Sequence, residues 1–98
     1  MITSKQRAYL RSMANTADTI GQIGKDGITD SVISQMENAI RARELIKLRV
    51  LETSMLSAKE ACGILCEALG AETVQCIGSK MVIYRPNPEK PVIELPKK

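Results

Sequence analysis

Apolar residues recur at helical spacing in three segments of the chain, and each segment has a recognisable start. Thr3 and Gln6 form a capping box before the first segment, and Ser57 and Glu60 form another before the third. Thr29 is the expected N-cap of the second. The pattern therefore predicts helices over residues 4–14, 29–43 and 57–70.

Alternation of apolar and polar residues predicts strands between and after these helices. Ile46, Leu48 and Val50 share one face of a strand over residues 45–51, whereas Lys47 and Arg49 share the other. Further strands are predicted over residues 19–23, 73–77 and 80–85. The resulting order, αβαβαββ, is typical of an α/β protein.

The last two strands are predicted to form a hairpin. Gly78 and Ser79 suit a type II′ turn, which pairs Ile77 with Lys80. Tyr84 then falls on the outer face, either available for stacking on a base or covered by the C-terminal tail. The same register assigns two pairs to the core face: Cys76 with Met81, and Val74 with Ile83.

Helical crossovers imply parallel neighbouring strands, so we expect a mixed four-stranded sheet. The expected fold is a two-layer α/β sandwich with all helices on one face of the sheet. Lys47 and Arg49 would then lie on an open face. Residues 1–85 would form the domain and the Pro-rich residues 86–98 an extended tail. Three apolar tail residues are expected to lie over the domain: Val92, Ile93 and Leu95.

A glycine-containing loop, Gly24-Lys25-Asp26-Gly27, separates the first strand from the second helix. Glycines permit positive φ and leave backbone N–H groups open to an anion. Lys25 adds a mobile positive charge, and Thr29 places the loop beside the positive end of a helix dipole. This arrangement suits a phosphate group, and a tight turn without a ligand is the alternative.

The charge of the chain is concentrated at its N-terminus. Fourteen Lys and Arg residues against eleven Asp and Glu give a net charge of +3. Residues 1–11 contain Lys5, Arg7 and Arg11 but no acidic residue. These three lie largely outside the apolar stripe of the first helix, so they form either a ligand-binding surface or a solvated face.

Several kinds of chemistry are excluded or disfavoured by composition. The 98 residues include no histidine, so the usual general base and the commonest metal ligand are missing. We expect no catalysis, no cofactor and no metal site. Cys62 and Cys66 lie one helical turn apart, but two thiols make a poor zinc site and core packing is the simpler interpretation. The helical glutamates are expected to be surface charges: Glu37, Glu44, Glu60 and Glu67.

No apolar run is long enough to span a membrane, and no signal-peptide core follows the N-terminal bases. We therefore expect a cytoplasmic protein that does not interact with membranes. A single domain of this size is expected to fold alone and to be a monomer.

Four segments in register resemble the YhbY family of small bacterial proteins, each of which consists of one CRM domain (chloroplast RNA splicing and ribosome maturation). The segments are Ser4–Arg11, Gln22–Thr29, Glu44–Lys47 and Gly78–Arg85. The resemblance implies an RNA-binding domain similar to the C-terminal domain of translation initiation factor 3, with a KH-like Gly-x-x-Gly loop contacting the RNA backbone. It also implies association with precursors of the large ribosomal subunit.

The expected function is therefore non-catalytic binding of ribosomal RNA during ribosome assembly. Asp26 fits an RNA site only if its carboxylate points away from the phosphates or bonds its own backbone. The alternative is a protein–protein interaction module that uses the open sheet face and the C-terminal tail, with the glycine loop only structural. The expected RNA-binding residues are Gly24, Lys25, Asp26, Gly27, Thr29, Lys5, Arg7, Arg11, Lys47 and Arg49.

Overall fold

A computed structural model describes residues 2–89, 91, 93 and 95. These residues form three helices and four strands in the predicted order, and none of the helices is long and apolar enough to cross a membrane. The elements are α1 (Ser4–Ala14), β1 (Gly21–Ile23), α2 (Asp30–Arg43), β2 (Leu45–Val50), α3 (Ala58–Leu69), β3 (Glu72–Ile77) and β4 (Lys80–Tyr84). Every predicted element is confirmed, with ends that differ from the predictions by at most two residues.

The helices begin and end where the sequence predicts because their caps form. Thr3 Oγ1 accepts a hydrogen bond from the Gln6 N–H at 3.1 Å, and Gln6 Oε1 accepts one from the Thr3 N–H at 3.0 Å. Ser57 and Glu60 make the same reciprocal pair at the start of α3. Gly70 ends α3 with a φ of 66°. Such caps provide partners for backbone groups that have none inside the helix.

The sheet is mixed, with the strand order β1-β2-β4-β3. β1 and β2 are parallel, and β4 is antiparallel to both of its neighbours. α2 leads from β1 to β2, and α3 leads from β2 to β3 in the same direction across the sheet. Right-handed crossovers place both helices on one face, called the first face here. They enclose the first core cluster with the sheet, including Ile40 of α2, Leu65 of α3 and Met81 of β4.

α1 lies on the opposite, second face, so the expectation that all helices share one face is wrong. Leu10 and Ala14 of α1 pack there in a second core cluster. α1 does not connect two strands, so the crossover rule leaves its position open. Its place follows instead from the apolar side chains that the second face carries, which are removed from water by α1. The sheet residues of this cluster are Val74, Val82 and Tyr84.

The C-terminal tail also covers the second face. Ile93 and Leu95 pack against the second core cluster, as expected, whereas Val92 lies outside the described residues. Tyr84 is only 2% exposed. Of the two positions considered for Tyr84, the covered one is therefore observed.

A β-bulge in β3 changes the face of two residues. The pairs nearest the turn form as predicted, and Gly78 has the positive φ of 59° that a type II′ turn requires. Pairing then shifts between Thr73 and Gln75, so that Thr73 rather than Val74 lies opposite Ile83. Val74 is buried, but in the second cluster, so its predicted place on the same face as Ile83 is wrong. An extra residue on one strand reverses the alternation of faces beyond it.

One glutamate expected at the surface is buried. Glu44 follows α2, is 1% exposed and has a φ of 64°. Its carboxylate accepts hydrogen bonds from the Asn87 N–H at 2.5 Å and from the Ile93 N–H at 2.6 Å. The expectation of a solvated charge is therefore wrong for Glu44, whose carboxylate binds the backbone of the tail.

The end of β4 is joined to α2 by an ion pair. Arg85 donates hydrogen bonds to the two carboxylate oxygens of Glu37 at 2.8 and 2.6 Å, and another to the Leu69 carbonyl at 2.8 Å. The hydrogen bonds from Arg85, together with the positive charges of Arg85 and Arg41, lower the pKa of Glu37 to about 2. Glu37 therefore connects two elements of the fold.

Acid is expected to weaken the fold through Glu37. The carboxylate stabilises the fold fully above its unperturbed pKa of 4.5, and this contribution is lost as the pH falls through the folded-state pKa of about 2. We expect Glu37→Gln to lower the free energy of unfolding at pH 7 by about 1–3 kcal/mol. It should also flatten the dependence of stability on pH between about 4.5 and 2.

Urea denaturation at a series of pH values measures this dependence. Glu67→Gln is the control, because Glu67 is an exposed glutamate of α3. A pH profile of Glu37→Gln that runs parallel to that of the unmodified protein would contradict the assignment.

Candidate nucleic-acid interface

The Gly24–Gly27 loop is a tight turn at the end of β1. The Gly27 N–H donates a hydrogen bond to the Gly24 carbonyl at 3.0 Å, which leaves Lys25 and Asp26 at an exposed tip. The N–H groups of Lys25 and Asp26 meet no acceptor among the described residues. Gly27 has a φ of 69°, and Gly24 does not have a positive φ. Only Gly27 therefore uses the left-handed conformation that favours glycine.

The base of this turn is fixed by the segment that follows β2. The Leu51 N–H donates a hydrogen bond to the Ile23 carbonyl at 2.8 Å. A Cβ atom at Gly24 would lie 3.6 Å from Leu51 Cδ1 and 3.7 Å from Thr53 Oγ1, which are ordinary contacts. The turn is thus held at its base while its tip faces solvent.

α2 begins directly after the turn. Thr29 Oγ1 accepts a hydrogen bond from the Val32 N–H at 3.2 Å, which confirms Thr29 as the N-cap. The N-terminal end of a helix carries a partial positive charge that acts within about one turn. Backbone N–H groups, the Lys25 ammonium and the helix dipole are therefore close together, a combination that suits a phosphate group.

The two basic residues of β2 have different environments. Arg49 is exposed, and its pairing with Gln22 places it at the same end of the sheet as the turn. The Lys47 ammonium instead donates a hydrogen bond to the Ala14 carbonyl at 3.2 Å. A cation at a helix C-terminus is favourable, so Lys47 joins α1 to the sheet.

α1 crosses the second face with its start far from the turn. The Ile2 N–H donates a hydrogen bond to the Glu72 carboxylate at 3.0 Å, which places the start of α1 beside the start of β3. β3 runs parallel to β1, and its six residues span about 17 Å. Lys5, in the first turn of α1, therefore lies near the opposite end of the sheet from the Gly24–Gly27 turn.

The other two bases of α1 lie further along the helix. Arg11 is exposed in the last turn, at the end of α1 that reaches Lys47. Arg7 is half-buried, and its Nε atom is buried without a hydrogen-bond partner among the described residues. The structure thus brings Arg49 to the end of the sheet where the Gly24–Gly27 turn lies. Arg11 lies nearer to the turn than Lys5 does, and Lys5 is at the opposite end of the sheet.

The thiols form a different cluster, between α3 and β3. The Sγ atoms of Cys62 and Cys66 are 4.0 Å apart, and Thr73 Oγ1 lies 3.3 and 3.5 Å from them. The hydrogen bond with Cys62 lowers the pKa of Cys66 to about 7, and the same bond together with burial raises the pKa of Cys62. Within the described part of the chain, no three potential metal-ligating side chains come together. Thr73 reaches the thiols because the bulge turns it towards α3.

These features define an α/β domain with a mixed sheet and an exposed Gly-x-x-Gly turn before a helix. A family model described as the CRS1 / YhbY (CRM) domain matches residues 2–85. The chain belongs to this family, so the resemblance seen in the sequence is confirmed.

Two relatives match along nearly their whole length. The chain is similar to the probable RNA-binding protein YqeI of Bacillus subtilis (strain 168), with 38% identity over 96 residues that cover 98% of this chain and 100% of the relative. It is also similar to an RNA-binding protein of Haemophilus influenzae, with 31% identity over 97 residues that cover 99% and 97%.

A solved structure supports the fold. The solution structure of the hypothetical protein SAV1595 from Staphylococcus aureus matches with a TM-score of 0.81 and 48% identity. The match covers 98% of this chain and 100% of that one. The α/β fold with a mixed four-stranded sheet is therefore shared with this relative.

Proposed function

We propose that the protein binds ribosomal RNA of large-subunit precursors and acts in ribosome assembly without catalysing a reaction. The observation that carries this proposal is the exposed Gly24–Gly27 turn at the start of α2. The names of the two relatives, both RNA-binding proteins, support RNA as the ligand. The precursor particle is supported by the resemblance to the YhbY family.

The proposed contacts are with the RNA backbone and have low sequence specificity. Phosphate oxygens would accept hydrogen bonds from the N–H groups of the turn, and Lys25 would neutralise their charge. Lys5 and Lys47 have smaller roles, because one is remote from the turn and the other is bonded to α1. The proposed RNA-binding residues are Gly24, Lys25, Asp26, Gly27, Thr29, Arg7, Arg11 and Arg49, with Lys5 and Lys47 as weaker contributors.

The alternative function is a protein-interaction module that uses the open sheet face and the C-terminal tail. α1 and the tail residues Ile93 and Leu95 pack on the second face, and α2 and α3 pack on the first. On the described sheet most apolar side chains are therefore already packed against helices or the tail, and the observations favour RNA.

Lys25 and Asp26 are expected to have opposite effects on RNA affinity, because their charges are opposite and both lie at the exposed tip. RNA affinity falls as a power of the salt concentration, and removing one phosphate contact lowers this salt exponent by about 0.7. Lys25→Ala should therefore weaken binding about fivefold at 0.1 M salt. Asp26→Ala should tighten binding, because it removes repulsion of the phosphates. Fluorescence anisotropy with a labelled ribosomal RNA fragment measures both, with circular dichroism as the test of folding.

Gly24→Asp provides a sharper test of the turn. Its Cβ would make only ordinary contacts, so the variant should fold while placing a carboxylate at the phosphate site. Gly63→Asp is the matched control: it adds the same charge on α3, where a Cβ would meet nothing within 4 Å. We expect weaker RNA binding by Gly24→Asp only. Unchanged binding by both Gly24→Asp and Lys25→Ala would exclude the turn as the RNA site.

The partner is tested separately by sedimentation of cell extract. Because the proposed contacts are with RNA phosphates, the protein should sediment with large-subunit precursors at low salt. At high salt it should remain at the top of the gradient. Sedimentation only at the top at low salt, or with mature ribosomes, would contradict the proposed partner.

A further inference from the structure

A row of four exposed side chains crosses the sheet at the end where the Gly24–Gly27 turn lies. Gln22 of β1 pairs with Arg49 of β2. Arg49 pairs with Lys80 of β4, and Lys80 pairs with Ile77 of β3. All four residues are exposed. Their neighbours along the strands, such as Leu48, pack in the first core cluster, so this terminal row lies on the second face.

α1 leaves the terminal row uncovered. The C-terminal end of α1 meets β2 at Lys47, whose ammonium bonds the Ala14 carbonyl. Arg49 lies two residues further along β2, a distance of about 7 Å. The second core cluster extends from Lys47 in the opposite direction, towards Leu45. With respect to the described residues, the terminal row is therefore an open strip between α1 and the end of the sheet.

The strip continues directly into the Gly24–Gly27 turn. Gln22 lies two residues before Gly24 along the chain. A shallow depression of about 470 Å³ runs along β1 and the basic pair, lined by Thr19, Ile20, Gly21, Gln22, Arg49 and Lys80. A chain molecule bound at the turn can therefore extend over the terminal row without crossing a covered part of the surface.

Arg49 and Lys80, the two central residues of the row, are both positively charged. Side chains directly opposite on antiparallel strands have Cβ atoms about 4.5–5.5 Å apart, and like charges there are destabilising. In the described part of the chain, neither Arg49 nor Lys80 forms an ion pair. An anion between them would relieve their repulsion. Gln22 has an amide that can both donate and accept hydrogen bonds, and Ile77 is 65% exposed beside Lys80.

We propose that the terminal row is a second RNA subsite, in which Arg49 and Lys80 together hold one backbone phosphate of the strand bound at the turn. This inference rests on the proposed function. It adds the path of the RNA across the protein surface and whether the RNA is single-stranded or paired. The ligand is single-stranded RNA, because an unpaired strand can present its bases to Gln22 and Ile77. In an A-form duplex the bases are stacked and paired, side chains do not read the deep, narrow major groove, and the shallow minor groove is recognised mostly by its shape and 2′-hydroxyls.

Charge-neutralising variants test the subsite. Each phosphate contact removed lowers the salt exponent by about 0.7, so Arg49→Gln and Lys80→Gln should each weaken binding about fivefold at 0.1 M salt. Because both side chains hold the same phosphate, the effects should not add: the double variant should also weaken binding about fivefold and lower the exponent by about 0.7. Arg43→Gln is the matched control, because Arg43 is an exposed base at the C-terminal end of α2, away from the row. Its affinity should stay within twofold of that of the unmodified protein.

The failure of this inference is distinguishable from failure of the proposed function. If Lys25→Ala weakens binding but Arg49→Gln and Lys80→Gln match Arg43→Gln, the turn binds RNA and the terminal row does not. If the unmodified protein shows no salt-dependent RNA binding, the proposed function fails as well. Equal affinity for single-stranded RNA and for a duplex of the same sequence would overturn the single-stranded assignment. Melting temperatures show whether each variant is folded, and those of the row variants should not fall, because a like-charge pair is removed.

Discussion

Leu10→Ala is expected to lower the free energy of unfolding by about 2–5 kcal/mol, the range measured when a buried leucine is truncated. Leu10 is 0% exposed and lies in the second core cluster, between α1 and the sheet. Removing its side chain leaves a cavity beside Val82 and Tyr84, because both are held by the sheet and cannot move fully into the space. Urea denaturation followed by circular dichroism measures the change.

Tyr9→Ala is the matched control for this prediction. Tyr9 is the preceding residue of the same helix but is 42% exposed, so its truncation should cost less than about 1 kcal/mol. The comparison also tests the orientation of α1, because Leu10 is buried only if α1 packs with its Leu10 side against the sheet. Similar losses of stability in the two variants would show that Leu10 is not a core residue.

The ends of the elements were predictable because the signals are local. Thr3, Thr29 and Ser57 accept hydrogen bonds from backbone N–H groups within the same helix turn, so their role depends only on nearby residues. The turn at Gly78 is equally local, since its positive φ follows from the two-residue connection. Local chemistry thus determines where the helices begin and where the hairpin turns.

The face of an element depends on distant residues, and there the predictions failed. α1 is amphipathic whichever face it covers, so the pattern around Leu10 does not select one. Val74 is apolar and suits either face of β3. The bulge that moves Val74 to the second face is not marked in the sequence, because β3 contains no glycine or proline. Glu44 is a charged residue of the kind expected at the surface, and only its hydrogen bonds to the tail explain why it is buried. Each case requires a contact between segments far apart in the chain.

The candidate site shows the same division. The Gly24–Gly27 turn and its N-cap were predictable because they occupy consecutive residues. The terminal row was not assembled from the sequence, although Arg49 was expected to be in the site. Its members come from four strands, and their alignment depends on the order β1-β2-β4-β3. The predicted β3–β4 hairpin correctly paired Ile77 with Lys80, but the neighbours of β2 were not predictable from the pattern.

Glu44→Ala is expected to release the C-terminal tail and to lower the free energy of unfolding by about 2–4 kcal/mol. The carboxylate accepts hydrogen bonds from the N–H groups of Asn87 and Ile93. Hydrogen bonds to charged groups contribute about 1.5–3 kcal/mol each, and the cost of burying the carboxylate offsets part of their sum. Alanine leaves both N–H groups without this acceptor. Amide hydrogen exchange measured by NMR should therefore show faster exchange at Asn87 and Ile93 in the variant.

Glu44→Gly separates the carboxylate from the backbone conformation at this position. The φ of 64° favours glycine over any residue with a Cβ, so Glu44→Gly should be more stable than Glu44→Ala by about 1 kcal/mol. Both variants lack the carboxylate, so both should lose protection at Asn87 and Ile93 equally. Glu52→Ala, which removes an exposed glutamate after β2, should retain protection at both amides. Protection that persists in both Glu44 variants would show that the tail is held on the second face by the apolar contacts of Ile93 and Leu95 and not by Glu44.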